Sequence, residues 1–66
     1  MEKGTVRSID RSGGTGMIGR MSDVDVKFFA DSILGKDRFR LKQGDIVWFE
    51  VDNVKTVHTA INIRKA

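Results

Sequence analysis

Along most of this chain apolar residues recur at every second position, the period of a strand with one face buried. In IVWFEV (46–51), Val47, Phe49 and Val51 fall on one side, and Ile46, Trp48 and Glu50 on the other. In VDVKFF (24–29), Val24, Val26 and Phe28 alternate with Asp25, Lys27 and Phe29. In VHTAINI (57–63), Val57, Thr59, Ile61 and Ile63 share a face. Each segment is rich in β-branched or aromatic residues and predicts a half-buried strand. Residues 3–10 predict a first strand. Val6 and Ile9 stand three apart there, so keeping both inside requires a bulge near Arg7–Ser8. Residues 14–20 predict a short, glycine-rich second strand. Ala30 to Leu34 predicts one helical turn closed by Gly35, and Asp52 to Thr56 a turn before the last strand. A basic loop, KDRFRLKQ, links the helical turn to Gly44 and the fourth strand.

Five short strands predict an all-β domain. Exposed sheet edges are a liability in so small a protein, and closing the sheet removes them. The expected architecture is a small five-stranded antiparallel barrel of OB type, with residues 1–66 forming one domain. The chain has no proline, so glycine supplies the punctuation.

Gly13, Gly14, Gly16 and Gly19 crowd the second strand, and Gly14-x-Gly16-x-x-Gly19 copies the spacing of a dinucleotide-binding loop. That loop needs a strand before it and a helix opening within it, inside a βαβ unit. The following RMSDVDVKFF instead alternates with period two. The glycines are therefore read as a barrel bend, the usual meaning of glycine within a strand. The phosphate-binding pattern G-x-x-x-x-G-K-[ST] does not occur.

Composition narrows the function. The 66 residues hold no cysteine and one histidine, which excludes disulfides and a His/Cys zinc site. A chain of this size buries only about 60% of its unfolded surface, so its core is small. No apolar run approaches the roughly 20 residues that span a bilayer, and MEKGTVRSID carries no signal-type stretch. The expectation is a cytoplasmic protein without a membrane role. Lys and Arg number 12 against 9 Asp and Glu, a formal charge of +3. The excess is concentrated in Lys27, Lys36, Arg38, Arg40 and Lys42, opposed between 27 and 42 only by Asp31 and Asp37. Such clustering suits a polyanion, and equally suits the solvated surface of any small soluble domain.

Set side by side, the segments resemble the cold-shock domain, a five-stranded OB-type barrel that binds single-stranded nucleic acid. The resemblance runs from Gly4 to Lys65 without a gap. KGTV at 3–6 is similar to the family's opening K-G-x-V, and Gly14-x-Gly16-x-Ile18 to its G-F-G-F-I motif. DVKFF at 25–29 resembles D-V-F-V-H or D-x-F-F-H. Leu41 and Gly44 with Val47 and Phe49 resemble L-x-x-G-x-x-V-x-F, and Ala60, Asn62 and Ile63 resemble the closing A-x-N-V. The binding face departs from the pattern. Ser8 stands where the family has a tryptophan, Thr15 and Met17 where it has two phenylalanines, and Lys27 where it has an aromatic. Phe29 takes the place of a histidine. Arg38, beside Phe39, takes that of a loop aromatic, and Gly13 replaces a lysine while Arg7 keeps a basic position.

The resemblance implies a nucleic-acid site at Arg7, Ser8, Thr15, Met17, Lys27, Phe29, Arg38 and Phe39, with single-stranded RNA or DNA as partner and no cofactor or metal. Base–aromatic stacking contributes about 1–3 kcal/mol per base. Losing three or four platforms removes on the order of 4 kcal/mol, roughly a thousandfold in affinity. The expected binding is thus weak and carried mainly by phosphate contacts that fade with salt. The resemblance also suggests chaperone-like opening of weak RNA structure. The alternative is a barrel that has lost this role and serves as a protein-interaction or dimerisation module, so monomer and homodimer both stay open.

Individual residues carry two readings each. Parity with Val24 and Val26 places Phe28 inside and Phe29 outside, where it could stack on a base. Phe39 stacks on a base or caps an open barrel end. Trp48 marks an interface or is partly buried under a loop. His58 is a surface residue or a phosphate contact. No nucleophile–base–acid set is visible around Ser8, Ser12, Ser22 or Ser32, so no enzymatic activity is expected.

Overall fold

The computed structural model describes residues 1–21, 24–52 and 58–66, with the side chain of Phe39 outside that description. Its strands are β1 (Glu2–Asp10), β2 (Thr15–Arg20), β3 (Val26–Phe29), β4 (Ile46–Asp52) and β5 (Thr59–Lys65). They close into a barrel in the order β1-β2-β3-β5-β4, with β4 returning to β1. This is the all-β, five-stranded OB-type barrel expected from the sequence. One ladder departs from the antiparallel expectation: β3 and β5 run parallel, pairing Lys27 with Thr59 and Phe28 with Ala60. The reason is topological. An odd number of strands cannot alternate direction all the way round a closed ring, so at least one neighbouring pair must run the same way.

The interior follows the alternation closely in β4, where Val47 and Phe49 are fully buried while Ile46 and Trp48 face outward. Val6, Ile18, Val26, Phe28, Ala60 and Ile63 join them in the core, and Ile9 and Val51 pack against it. Ile33 and Leu41, from the β3–β4 connection, close the remaining space. Removing each of these larger side chains from water contributes about 1.5–3 kcal/mol.

The bulge required by the Val6–Ile9 spacing is present. The β1–β2 register slips between Val6 and Ser8, leaving Arg7 as the extra residue. A second bulge was not foreseen. Trp48 pairs with Arg64 and Glu50 with Ile61, so Phe49 faces two residues, Asn62 and Ile63. Asn62 takes φ 52°, the left-handed conformation that asparagine tolerates better than most residues. This shift corrects the expected inner face of the last strand. The buried residues are Ala60 and Ile63, three apart, while Thr59 and Ile61 are only half-buried. Asp52, expected to open the turn before the last strand, is instead the final residue of β4 and pairs with Thr59; Val57 and the rest of that turn, 53–56, lie outside the described residues.

Two further expectations are corrected. The β2–β3 ladder ends at Ile18–Val26, so Val24 precedes the strand and is 73% exposed rather than inward. The helical turn after β3 covers only Ala30–Ser32, as a 3₁₀ turn, and Gly35 does not close it. Ile33 is extended and bridges Ile63. Gly35, at φ 58°, instead opens a second 3₁₀ turn, Gly35–Phe39, within the segment read as a basic loop.

Candidate nucleic-acid interface

The outer face of β1, β2 and β3 gathers most of the residues singled out from the sequence. Register places Ser8, Met17, Lys27 and Thr59 on one rung across four strands. The next rung carries Asp10, Thr15 and Phe29. Ser8, Lys27 and Phe29 are exposed, and Thr15 and Met17 half-buried. Phe28 is buried and Phe29 is 46% exposed, the orientation that parity within the strand requires.

Glycine shapes this surface from beneath. A Cβ on Gly16 would stand 2.5 Å from the Phe28 ring and 2.6 Å from the Ser8 carbonyl oxygen. The barrel wall can therefore close over Phe28 only if residue 16 has no side chain. Gly19 has a different use. A Cβ there would fall within 2.2 Å of Arg7 Nε, because the bulged arginine lays its guanidinium across the bare backbone of β2. Arg7 Nε also lies 3.6 Å from Asp25 Oδ2, with both side chains well exposed. A pair this exposed contributes roughly 0–1 kcal/mol, so a phosphate could recruit Arg7 at little cost.

Lys27 sits between the rungs in its chemistry. Its Nζ lies 5.2 Å from the centroid of the Phe29 ring. An exposed cation–π contact contributes about 0.5–1 kcal/mol. The ammonium thus covers the one aromatic ring that this face carries among the described residues.

At the Thr15 end the surface runs into a cleft of about 200 Å³. Ile9, Phe28, Ala30 and Ile33 contribute its apolar walls and Arg38 lies at its lining, which joins Arg38 to the sheet face through Thr15. Among the described residues no ion pair engages Lys27, Lys36, Arg38, Arg40 or Lys42. Two acids near them bond the backbone: Asp37 Oδ2 accepts from the Lys65 N–H at 2.8 Å, and Asp45 Oδ2 from the Lys42 N–H at 3.0 Å. Phe39 ends the second 3₁₀ turn, and its stacking role falls outside the described side chains.

Two contributors escaped the sequence reading. Asp10 caps the β1–β2 turn, accepting from the N–H groups of Gly13 (3.0 Å) and Ser12 (3.1 Å) and from the Ser12 hydroxyl (2.8 Å). The Gly13 N–H, then the Ser12 hydroxyl, hold its carboxyl below the ordinary range despite a small opposing effect of burial. It therefore stays ionised beside the Ser8–Met17–Lys27 rung, where its charge would repel a polyanion. The D-x-S-G sequence at 10–13 was the available signal, since Asp commonly caps such turns. Arg11 donates to the Leu41 carbonyl and ties this turn to the β3–β4 connection, 30 residues away. No local pattern could announce that contact.

The loop that could partly bury Trp48, residues 53–57, lies outside the described residues. Trp48 faces outward from β4 at 36% exposure, between Lys3 of β1 and Arg64 of β5. His58 is exposed and stands next to Thr59, at the end of the first rung. Among the described residues no cluster of His, Cys, Asp and Glu could hold a metal ion, and no helix is long and apolar enough to cross a membrane.

Compared with known proteins, the chain matches no family model and no curated sequence.

Proposed function

We propose that this protein binds single-stranded RNA or DNA weakly, in the manner of a cold-shock-like OB domain and in the cytoplasm. The observation that carries this reading is the shared outer face of β1–β3. Ser8, Met17 and Lys27 lie on one rung, Thr15 and Phe29 on the next, with Arg7 at one end and Arg38 at the other. A strand laid across it meets Phe29 as a stacking surface and Met17 as a polarisable apolar one. Arg7, Lys27 and Arg38 meet its phosphates. Phosphate contacts position the strand without reading bases, so the expected binding tolerates any sequence.

Anisotropy of labelled oligo-dT and oligo-rU, followed over a range of salt, tests the proposal. Three or four phosphates predict a log–log slope of roughly −2 to −3 for a single strand. Silence at low salt and high protein concentration would overturn it and leave the interaction-module reading. In that case side chains must form the contact, because the closed barrel leaves no strand edge open for pairing among the described residues.

A further inference from the structure

We propose a second contact surface for single-stranded nucleic acid on the far wall of the barrel, centred on Trp48 and using none of the residues of the β1–β3 site. Trp48 is the only tryptophan in the chain. It is held outward because its neighbours Val47 and Phe49 are fully buried. Register then places a cation on each side of it, as the rung Lys3–Trp48–Arg64. The Lys3 ammonium lies 5.5 Å from the indole centroid. Among the described residues, Arg64 Nη2 reaches the thioether of Met1, a weak acceptor, at 3.5 Å.

The nearby carboxylates among the described residues are engaged elsewhere. Glu50, the next outward residue of β4, accepts from Asn62 Nδ2 at 2.6 Å. Glu2 holds Arg20 through two bonds of 3.0 Å. Asp45 accepts from the Lys42 N–H and lies 3.7 Å from Lys65 Nζ. No ion pair among the described residues involves Lys3 or Arg64, so the rung presents two positive charges without a carboxylate partner, and a stacking base would displace the Lys3 ammonium from the ring it covers. Beside it Lys3, Thr5, Met21 and Ile46 line a groove of about 180 Å³, with Met21 97% and Ile46 40% exposed. A flat π-surface between cations, next to an apolar groove, is the chemistry that holds a base with its flanking phosphates.

A second copy of this chain fits the same surface poorly. In a two-fold contact centred on Trp48, Lys3 and Arg64 of one copy face Lys3 and Arg64 of the other, and like charges brought together cost affinity.

Trp48 emission reports this site directly. Unlabelled oligo-dT is titrated at low salt into the wild-type protein, a Lys27→Gln/Phe29→Leu variant and a Lys3→Gln/Arg64→Gln variant, with anisotropy of labelled oligo-dT in parallel and circular dichroism to check each fold. Quenching of Trp48 that persists in the first variant supports the proposal. So does a fall of about 1.4 in the magnitude of the quenching salt slope in the second variant, or roughly 0.7 per phosphate. Rising anisotropy with unchanged Trp48 emission overturns it and leaves the β1–β3 site standing. Quenching that vanishes in the first variant also overturns it, since one site would then account for both signals. An emission shift on raising protein concentration without oligonucleotide overturns it in favour of a second copy. Silence in both signals removes this surface and the β1–β3 site together. Persistent quenching in the first variant, with anisotropy unaffected by that double change, removes the β1–β3 site alone.

Discussion

Lys27 and Phe29, successive outward residues of β3, lie with the ammonium 5.2 Å from the ring centroid. A base stacking here would therefore compete with the lysine for the same ring. The released ammonium would then be free to meet a phosphate of the strand that displaced it. Stacking gain and cation–π loss would offset each other in part, which lowers the net return from Phe29.

Phe29→Leu is accordingly expected to weaken oligo-dT binding by roughly two- to thirtyfold, the stacking term less the displaced cation–π contact. Lys27→Gln should lower the salt slope by about 0.7, one phosphate lost from a single strand. Anisotropy titrations at several salt concentrations give both quantities. An unchanged slope in Lys27→Gln would remove Lys27 from the phosphate path.

Met17 lies between Ser8 and Lys27 on the central rung. Met17→Phe places a second flat ring there and should tighten binding by about 1–3 kcal/mol, fivefold or more. The same titration at fixed salt measures it. If affinity does not rise, the strand does not cross this rung.

Gly16 faces the Phe28 ring, where a Cβ would approach to 2.5 Å. Gly16→Ala overpacks the barrel wall and is expected to cost about 1–3 kcal/mol. Urea unfolding followed by circular dichroism would show a lower midpoint. An unchanged midpoint would mean that the β2 backbone moves away from Phe28 without cost.

At Asn62, φ 52° is strained for a β-branched side chain and free for glycine. Asn62→Val should destabilise the barrel by about 1–2 kcal/mol more than Asn62→Gly, although both lose the bond to Glu50. Denaturant midpoints of the two variants test the difference. Equal midpoints would show that the bulge can move along β5.

The Asp10 carboxyl, held below its ordinary value chiefly by the Gly13 N–H, links turn stability to acid. For a depressed carboxyl, the contribution is complete above the unfolded pKa near 3.8 and disappears as pH falls through the folded value. Thermal midpoints of wild type and Asp10→Asn should therefore converge below that range and separate above it. A separation that is the same at low and neutral pH would assign the effect to shape instead of charge.

Legibility varied with the range of the interaction. The inward set of β4 could be read from IVWFEV because alternation belongs to a single strand. The β1 bulge could be read because Val6 and Ile9 are close in sequence and only one local irregularity puts both inside. The candidate face itself was named from a family pattern, and its rungs came from the pairing of strands. The β5 reading failed at Asn62, where the alternation continues smoothly on paper while a left-handed residue shifts it by one.

Taken alone, the order of residues determined that there are five strands, which side chains of β4 face the core, and that the surplus charge is positive. These follow from the period of the backbone and from composition, which need no distant partner. Only the tertiary structure decided that β3 and β5 run parallel, that Arg7 rests on Gly19, and that Lys3 and Arg64 flank Trp48. Those neighbours are set by register between strands far apart in the chain. Register depends on bulges and barrel closure rather than on any local pattern.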